Sequence, residues 1–281
     1  MQENQTVLFI GDSYIEHGIN DNLIPCTFNF ARSAEPYLDI YPRLKVLLEA
    51  NPQISTVFIG ATPLSLAVES DHRRIFLSDM IYLLRTNILF YSPEELSIIP
   101  PKSYLQTILN GRSTIKSIFL IVKTIAGKNV LLKNFGGFRE SDMQHLEKSL
   151  ISGKEERNRI WVDIDSPHYG NKLQVKYLKK ILDLVQSHGA RAILLSTPVY
   201  HEEEFFDVPY FEITMKTEFS NVEFWNYANF PVPDECRQDV KHLNKWGAEI
   251  FSKELARRMR EEGIIPPDAP ETGSEGERLQ M

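Results

Sequence analysis

The sequence predicts an α/β fold, an open parallel sheet interrupted by a helical insertion. Three observations carry this. Short apolar runs recur along the chain, Val7-Leu8-Phe9-Ile10, Val57-Phe58-Ile59 and Ile193-Leu194-Leu195. Each is too short for a core helix and does not alternate, as expected of parallel strands covered on both faces. Each stops in turn-forming residues, at Gly11, Gly60 and Ser196-Thr197-Pro198, and segments of helical period lie between or beyond them.

Taken in order, the first strand leads into Gly11-Asp12-Ser13. Glycine permits the tight backbone that would deliver a serine hydroxyl to the carboxyl edge of the sheet, where open α/β folds bind ligands. Asp12, beside it, is expected to hold the turn by accepting hydrogen bonds. Residues 14–17 make one helical turn before Gly18. Residues 26–30 read as a second strand, and residues 41–50 as a helix with Pro42 in its first turn. Residues 56–60 form the third strand, followed by Ala61-Thr62-Pro63.

From residue 70 to 153 the pattern changes, and this interval is read as a helical insertion or cap between two halves of one α/β domain, 1–69 and 154–265. Residues 80–89 and 113–126 look helical, the second with Ile115, Ile118, Phe119, Val122 and Ile125 on one face. Residues 96–139 hold no acidic side chain, while Lys102, Arg112, Lys116, Lys123, Lys128, Lys133 and Arg139 punctuate them. Two readings stay open: a cap that meets an anionic or amphiphilic substrate, a membrane surface or an anionic polymer, or a packed helical pair with solvated lysines. Residues 134–138, with two glycines, read as a mobile turn able to serve as a hinge.

Regular α/β character returns at 169–188, a helix with Leu173, Tyr177, Ile181, Leu182 and Val185 inward and Gly189 beyond its end. A strand at 192–196 follows, then an exposed acidic loop, a last strand at 222–226 and a strongly helical segment at 244–262. That segment has a polar cap, Trp246, Ile250, Phe251, Leu255 and Met259 on its buried side, and Gly263 as terminator. Residues 266–281, rich in Pro, Gly and Glu, are expected to be a disordered tail.

Composition narrows the function classes. The chain has 281 residues, a formal charge of -7 and a pI near 5.6, which argues against a general nucleic-acid binder. Cys26 and Cys236 make no disulfide framework or metal-type spacing and read as small apolar residues. The polar residues 1–6 run directly into the first strand, so no signal peptide or membrane span is expected in the given sequence. That leaves a cytoplasmic protein and an exported one trimmed of its leader equally open.

A serine needs a base and a group that orients the base before it is nucleophilic. Both stand near the far end, in Asp239-Val240-Lys241-His242-Leu243-Asn244-Lys245-Trp246-Gly247. His201 has no aspartate in such a motif and reads, like His17 and His168, as a surface histidine. His188 is expected to complement a helix C-terminus. Gly-Asp-Ser near the start and Asp-x-x-His-Leu-Asn-x-x-Gly near the end together resemble the SGNH (GDSL-type) hydrolase family. The resemblance implies a three-layer α/β/α, flavodoxin-like parallel sheet. It implies Ser13 as nucleophile, His242 as base and Asp239 as its orienter, with no metal or organic cofactor.

The same resemblance implies an oxyanion hole from the backbone N–H of Ser13 and of Ala34, where the family usually has glycine. Thr62 stands where the family commonly has an asparagine donor, and a hydroxyl reaches less far than an amide. Three functions remain open at this level. One is a serine esterase acting on a small-molecule or carbohydrate ester, for instance removing acetyl groups. Another is an acyltransferase of the same fold that passes the acyl group to a sugar or polymer hydroxyl. The third is a binding module that keeps the fold without the chemistry.

Overall fold

The computed structural model describes residues 1–66, 90–98, 136–144, 146, 173–201 and 208–267. The helices expected at 80–89 and 113–126, His168 and the tail from residue 268 onward lie outside the described residues, as do all the cations singled out in 96–139 except Arg139.

Five parallel strands form one sheet among the described residues: β1 (Val7–Ile10), β2 (Thr27–Asn29), β3 (Thr56–Gly60), β4 (Arg191–Ser196) and β5 (Glu223–Asn226), in the order β2-β1-β3-β4-β5. Val7 pairs with Thr27 on one side and Thr56 on the other, Thr56 with Arg191, and Ile193 with Glu223. The chain begins at β1, steps to β2 and returns across β1 to β3. The order therefore reverses between β1 and β3, and a crevice opens at the carboxyl ends of strands beside such a switch point.

Helices cover both faces because the central strands β1 and β3 and most of β4 are apolar on both. Leu8, Ile10, Val57, Ile59 and Leu194 pack with Leu44 and Leu48 of α2 (Tyr37–Ala50), with Tyr177, Leu178, Ile181 and Val185 of α5 (Leu173–Ser187), and with Phe211 of α6 (Val208–Glu218). Val7, Phe9, Phe58, Ile193, Leu195 and Trp225 face the other way, onto Ile15 of α1 (Ser13–Gly18) and Phe251, Leu255 and Met259 of α7 (Lys245–Glu261). The result is an α/β/α arrangement of three layers, the parallel sheet covered on both faces that the apolar runs predict. Burying one such Leu or Phe contributes about 1.5–3 kcal/mol. Two shorter helices, α3 (Pro63–Leu66) and α4 (Pro93–Ile98), complete the described set. Among the described residues no helix is long and apolar enough to cross a membrane.

Several boundaries differ from the sequence reading, for local reasons. Helix α2 starts at Tyr37, four residues early, and Pro42 is inside it. Pro36, its N-cap, offers no side-chain acceptor; the Tyr37 N–H donates instead to Gln174 Oε1 at 3.0 Å, and Asp39 and Ile40 donate to the Pro36 carbonyl. Proline inside a helix removes an N–H, so the Leu38 carbonyl loses its i+4 partner. Strand β2 begins at Thr27 because Cys26 has φ 63°. Helix α5 ends at Ser187, which leaves His188 just past the last turn.

The buried side of α7 is also displaced. Phe251, Leu255 and Met259 are buried as expected, but Trp246 and Ile250 are 42% and 37% exposed. Small residues, Gly247, Ala248, Ser252 and Ala256, bring the helix close to the body of the protein. A Cβ at Gly247 would lie 2.2 Å from the Cys236 carbonyl oxygen. Trp246 and Ile250, on the neighbouring stripe, instead border an open groove with Gln144 and Cys236.

Two described pieces of the 70–153 interval pack on the α/β body. In the first, Tyr177 donates to Glu95, Tyr91 donates to Asp39, and Ile98 joins the core. The second, residues 136–144, is a strap rather than the mobile turn expected from its glycines. Gly137 N donates to Asn29 O at 2.5 Å, Phe138 N to Asp21 Oδ1 at 3.0 Å and Arg139 N to Glu16 O at 3.0 Å. At its far end Lys245 N donates to Ser141 O at 2.9 Å. The strap thus ties α1 to the start of α7.

Candidate active site

Strand β1 is followed by Gly11, whose φ of 153° few side chains tolerate. A Cβ at Gly11 would lie 2.7 Å from Ile15 Cγ1, and one at Gly60, at the end of β3, 2.6 Å from the same atom. The two glycines let α1 settle directly on the switch point. Asp12 caps that helix, its Oδ1 accepting from Tyr14 N at 3.1 Å, which is the structural role expected of it. Ser13 follows as the first helical residue, with its side chain at the carboxyl edge of the sheet.

The second motif folds into a closed turn. Gln238 N donates to His242 O at 2.9 Å, and Arg237 and Leu243 form an antiparallel bridge. Asn244 fastens it: its Oδ1 accepts from Trp246 N and Gly247 N, its Nδ2 donates to Glu235 O at 2.7 Å, and it is fully buried. Leu243 is 2% exposed beneath the turn. Leu243, Asn244 and Gly247 therefore serve to hold His242 where it is.

His242 Nε2 lies 2.8 Å from Ser13 Oγ, and Nδ1 lies 3.0 and 2.9 Å from Asp239 Oδ1 and Oδ2. A carboxylate accepts, so Nδ1 carries the proton of the neutral ring and Nε2 is the acceptor that faces the serine hydroxyl. Asp239 Oδ1 also accepts from Lys241 N at 2.7 Å and His242 N at 2.9 Å. Burial opposes the charge on Asp239. The hydrogen bond and charge of His242, with the two backbone donors, outweigh it and hold the carboxyl below the usual carboxylate range.

Ala34 follows β2, and Thr62 follows β3, so both lie at strand ends flanking Ser13. Ala34 has φ 60°, a conformation that costs an L-residue about 1–2 kcal/mol and that glycine adopts freely. Among the described residues no acceptor meets the N–H of Ser13 or of Ala34. The loop that carries Ala34 is pinned on both sides. Glu16 Oε2 accepts from Ser33 N at 2.7 Å, and Glu35 pairs with Arg43, both nearly inaccessible, while Arg43 stacks 4.2 Å over Phe30.

Removing one partner of a buried pair leaves an uncompensated charge. Glu35→Gln should therefore lower stability by about 3–5 kcal/mol, read as a fall in the urea midpoint. A midpoint unchanged within error would show that the pair does not anchor this loop.

Thr62 is 3% exposed and caps α3: its Oγ1 accepts from Ser65 N at 3.2 Å, and its own N–H donates to Ser65 Oγ at 2.8 Å. The hydroxyl proton meets no acceptor among the described residues.

Four residues missed in the sequence complete the surroundings. His17, expected on the surface, is only 9% exposed, with its ring 5.4 Å from that of His242. The physical reason is helical: residue 17 is four after Ser13 and so on the same face of α1, a spacing that was visible in the sequence. Tyr14 lies on the other side of His242, 5.5 Å between ring centroids. Asn29, fully buried, donates to the carbonyls of Ile15 and Ile19 and supports α1 from below. Asp21 accepts from Asn29 N and Phe138 N; burial raises its carboxyl above the usual range despite those two donors. His201, by contrast, is exposed as expected.

The fold and these contacts define an open parallel α/β sheet with a hydrogen-bonded Ser–His–Asp chain beside its switch point. No family model matches the chain, and no curated protein matches it.

Proposed function

We propose that the protein is a serine acyl hydrolase that cleaves an acyl ester through an acyl-enzyme on Ser13. The observation that carries this reading is the unbroken chain Ser13 Oγ, His242 Nε2, His242 Nδ1, Asp239, with contacts of 2.8 and 2.9 Å. A nucleophile, a base within hydrogen-bond reach and a third group that fixes the base's tautomer are the elements such chemistry requires.

In this mechanism Ser13 Oγ attacks the acyl carbon while His242 Nε2 takes the hydroxyl proton. The imidazolium so formed is stabilised by Asp239. The carbonyl electron pair moves onto oxygen, where the N–H groups of Ser13 and Ala34 and the Thr62 hydroxyl would donate. The tetrahedral intermediate collapses, the ester C–O bond breaks, and the leaving alkoxide takes the proton from His242. Water then attacks acyl-Ser13, again giving its proton to His242, and the acid departs as Ser13 regains its hydrogen. In the related acyltransfer reaction a sugar or polymer hydroxyl would replace that water.

Thr62 provides a separable test. Thr62→Val keeps the shape and removes the hydroxyl, and loss of one oxyanion donor typically costs about 100- to 1000-fold in kcat. A fall near the lower end, with KM little changed, is expected. Unchanged kcat with lowered stability would reduce Thr62 to a helix cap.

The reading as a whole is tested with a fluorophosphonate, which reacts with activated serines. One equivalent should attach to the wild-type protein by intact mass, and none to Ser13→Ala. A wild-type protein that stays unlabelled while folded would favour a binding module over an enzyme.

A further inference from the structure

We propose that His17 is a positioning residue for His242: the strap carbonyl of Arg139 fixes its ring, and that ring sets the plane of the His242 imidazole against Ser13. The proposal rests on the hydrolase reading above and adds a residue outside the Ser–His–Asp chain.

Hydrogen bonds at Nδ1 and Nε2 fix the two ends of the His242 ring but leave it free to roll about the line that joins them. Something must act on its sides. Tyr14 does so at 5.5 Å with an interplanar angle of 42°, and His17 at 5.4 Å and 61°, edge against face. Both come from α1, which also carries Ser13, so one short helix supplies the nucleophile and the two rings that orient its base.

His17 is itself held from outside the helix. Its Nδ1 lies 3.0 Å from the Arg139 carbonyl oxygen. A carbonyl can only accept, so Nδ1 bears the proton and the neutral ring has one tautomer. Arg139 in turn is fixed by its own N–H on Glu16 O, and the strap by its bonds to Asn29, Asp21 and Lys245. The charged and titratable groups that face His17 are His242 from the loop before α7, Glu16 from α1 and Arg139 from the strap. Burial first, then His242, lower the tendency of His17 to charge, against Glu16 and the Arg139 carbonyl, which raise it. Burial and the neighbouring His242 thus disfavour a charge on the second ring. A charge on His17 would oppose the imidazolium that His242 must become.

Three variants separate positioning from simple packing. His17→Ala removes the ring, and kcat should fall about 10- to 100-fold with KM within about twofold, the scale expected of a misplaced catalytic group. His17→Phe keeps the ring edge without the titrating nitrogens and should recover most of that loss. Both are checked by circular dichroism, and His17→Phe serves where the alanine variant does not fold.

Two further readouts would not respond to a structural role alone. In the wild type, the acid limb of kcat/KM should steepen from first to second order in proton concentration once both rings are protonated. In His17→Phe it should stay first order throughout. NMR of the His242 ring should show the same Nδ1–H tautomer in both proteins, held by Asp239, with sharp ring signals in the wild type and exchange-broadened ones in His17→Ala.

Unchanged kcat and unchanged His242 signals in His17→Ala, or identical acid limbs in wild type and His17→Phe, would overturn the proposal. A wild type that turns over no ester overturns the hydrolase reading instead, and the NMR comparison then decides the positioning claim by itself.

Discussion

Ser13→Ala should lower turnover of a nitrophenyl acetate by on the order of 10⁵- to 10⁶-fold, the scale seen when the nucleophile of a serine hydrolase is removed. The fold should survive. Ser13 Oγ makes its contact with His242 alone among the described residues, the helix cap is supplied by Asp12, and alanine is a strong helix former. Circular dichroism and the urea midpoint should therefore match the wild type. Loss of activity with loss of structure would leave the nucleophile unassigned, whereas full turnover by a pure, folded variant would move the reaction to another residue.

Asp239→Asn should cost about 10⁴-fold in kcat, for a reason that lies in the direction of one proton. Asp239 Oδ1 already accepts two backbone N–H groups, so the amide oxygen of asparagine would take that side and keep the turn. Its NH₂ would then face His242 Nδ1, which would have to become an acceptor. The ring proton would shift to Nε2, pointing at Ser13 Oγ, and the base would lose its lone pair. Kinetics at several pH values check this, because the deficit should persist across the neutral range.

The pH dependence follows from the same carboxylate. Asp239 has its folded value below its unfolded one, so its contribution to stability is fully present above the ordinary aspartate value of about 3.9 and is lost as pH falls through the lower folded value. A urea midpoint that holds down to about pH 3.9 and falls below it checks this; a midpoint flat through that range would contradict the linkage.

Much of the fold was legible because the three central strands are apolar on both faces. Val7–Ile10, Thr56–Gly60 and the core of Arg191–Ser196 could be read as buried parallel strands from composition alone, and each stops where a glycine or turn residue says it should. Ser13, Asp239 and His242 were legible as a pair of motifs in a fixed order. Their meeting was not, since nothing local to either end of the chain encodes a contact across 229 residues.

The failures have the same origin. Trp246 and Ile250 carry the apolarity of a buried stripe, but Gly247 and Ser252 decide how α7 approaches the rest of the protein, and close approach favours the small residues. His17 was misplaced because residues 14–17, although read as a helical turn, were not given the face that residue 17 shares with Ser13. The strap escaped notice because its bonds are made by backbone groups, which the sequence does not distinguish. Its glycines, taken alone, suggested mobility; Gly137 N on Asn29 O shows a fixed point instead.

The central claim is that Ser13 carries the acyl group during turnover, and the most direct measurement is the mass of the protein quenched in acid while it hydrolyses a nitrophenyl acetate. The wild type should gain one acetyl group on the peptide containing Ser13, and Asp239→Asn, attacked slowly, should gain it at a much lower rate. An enzyme that turns the ester over at the wild-type rate with its label on another residue, or with no label at any quench time and none from a fluorophosphonate, would contradict the mechanism.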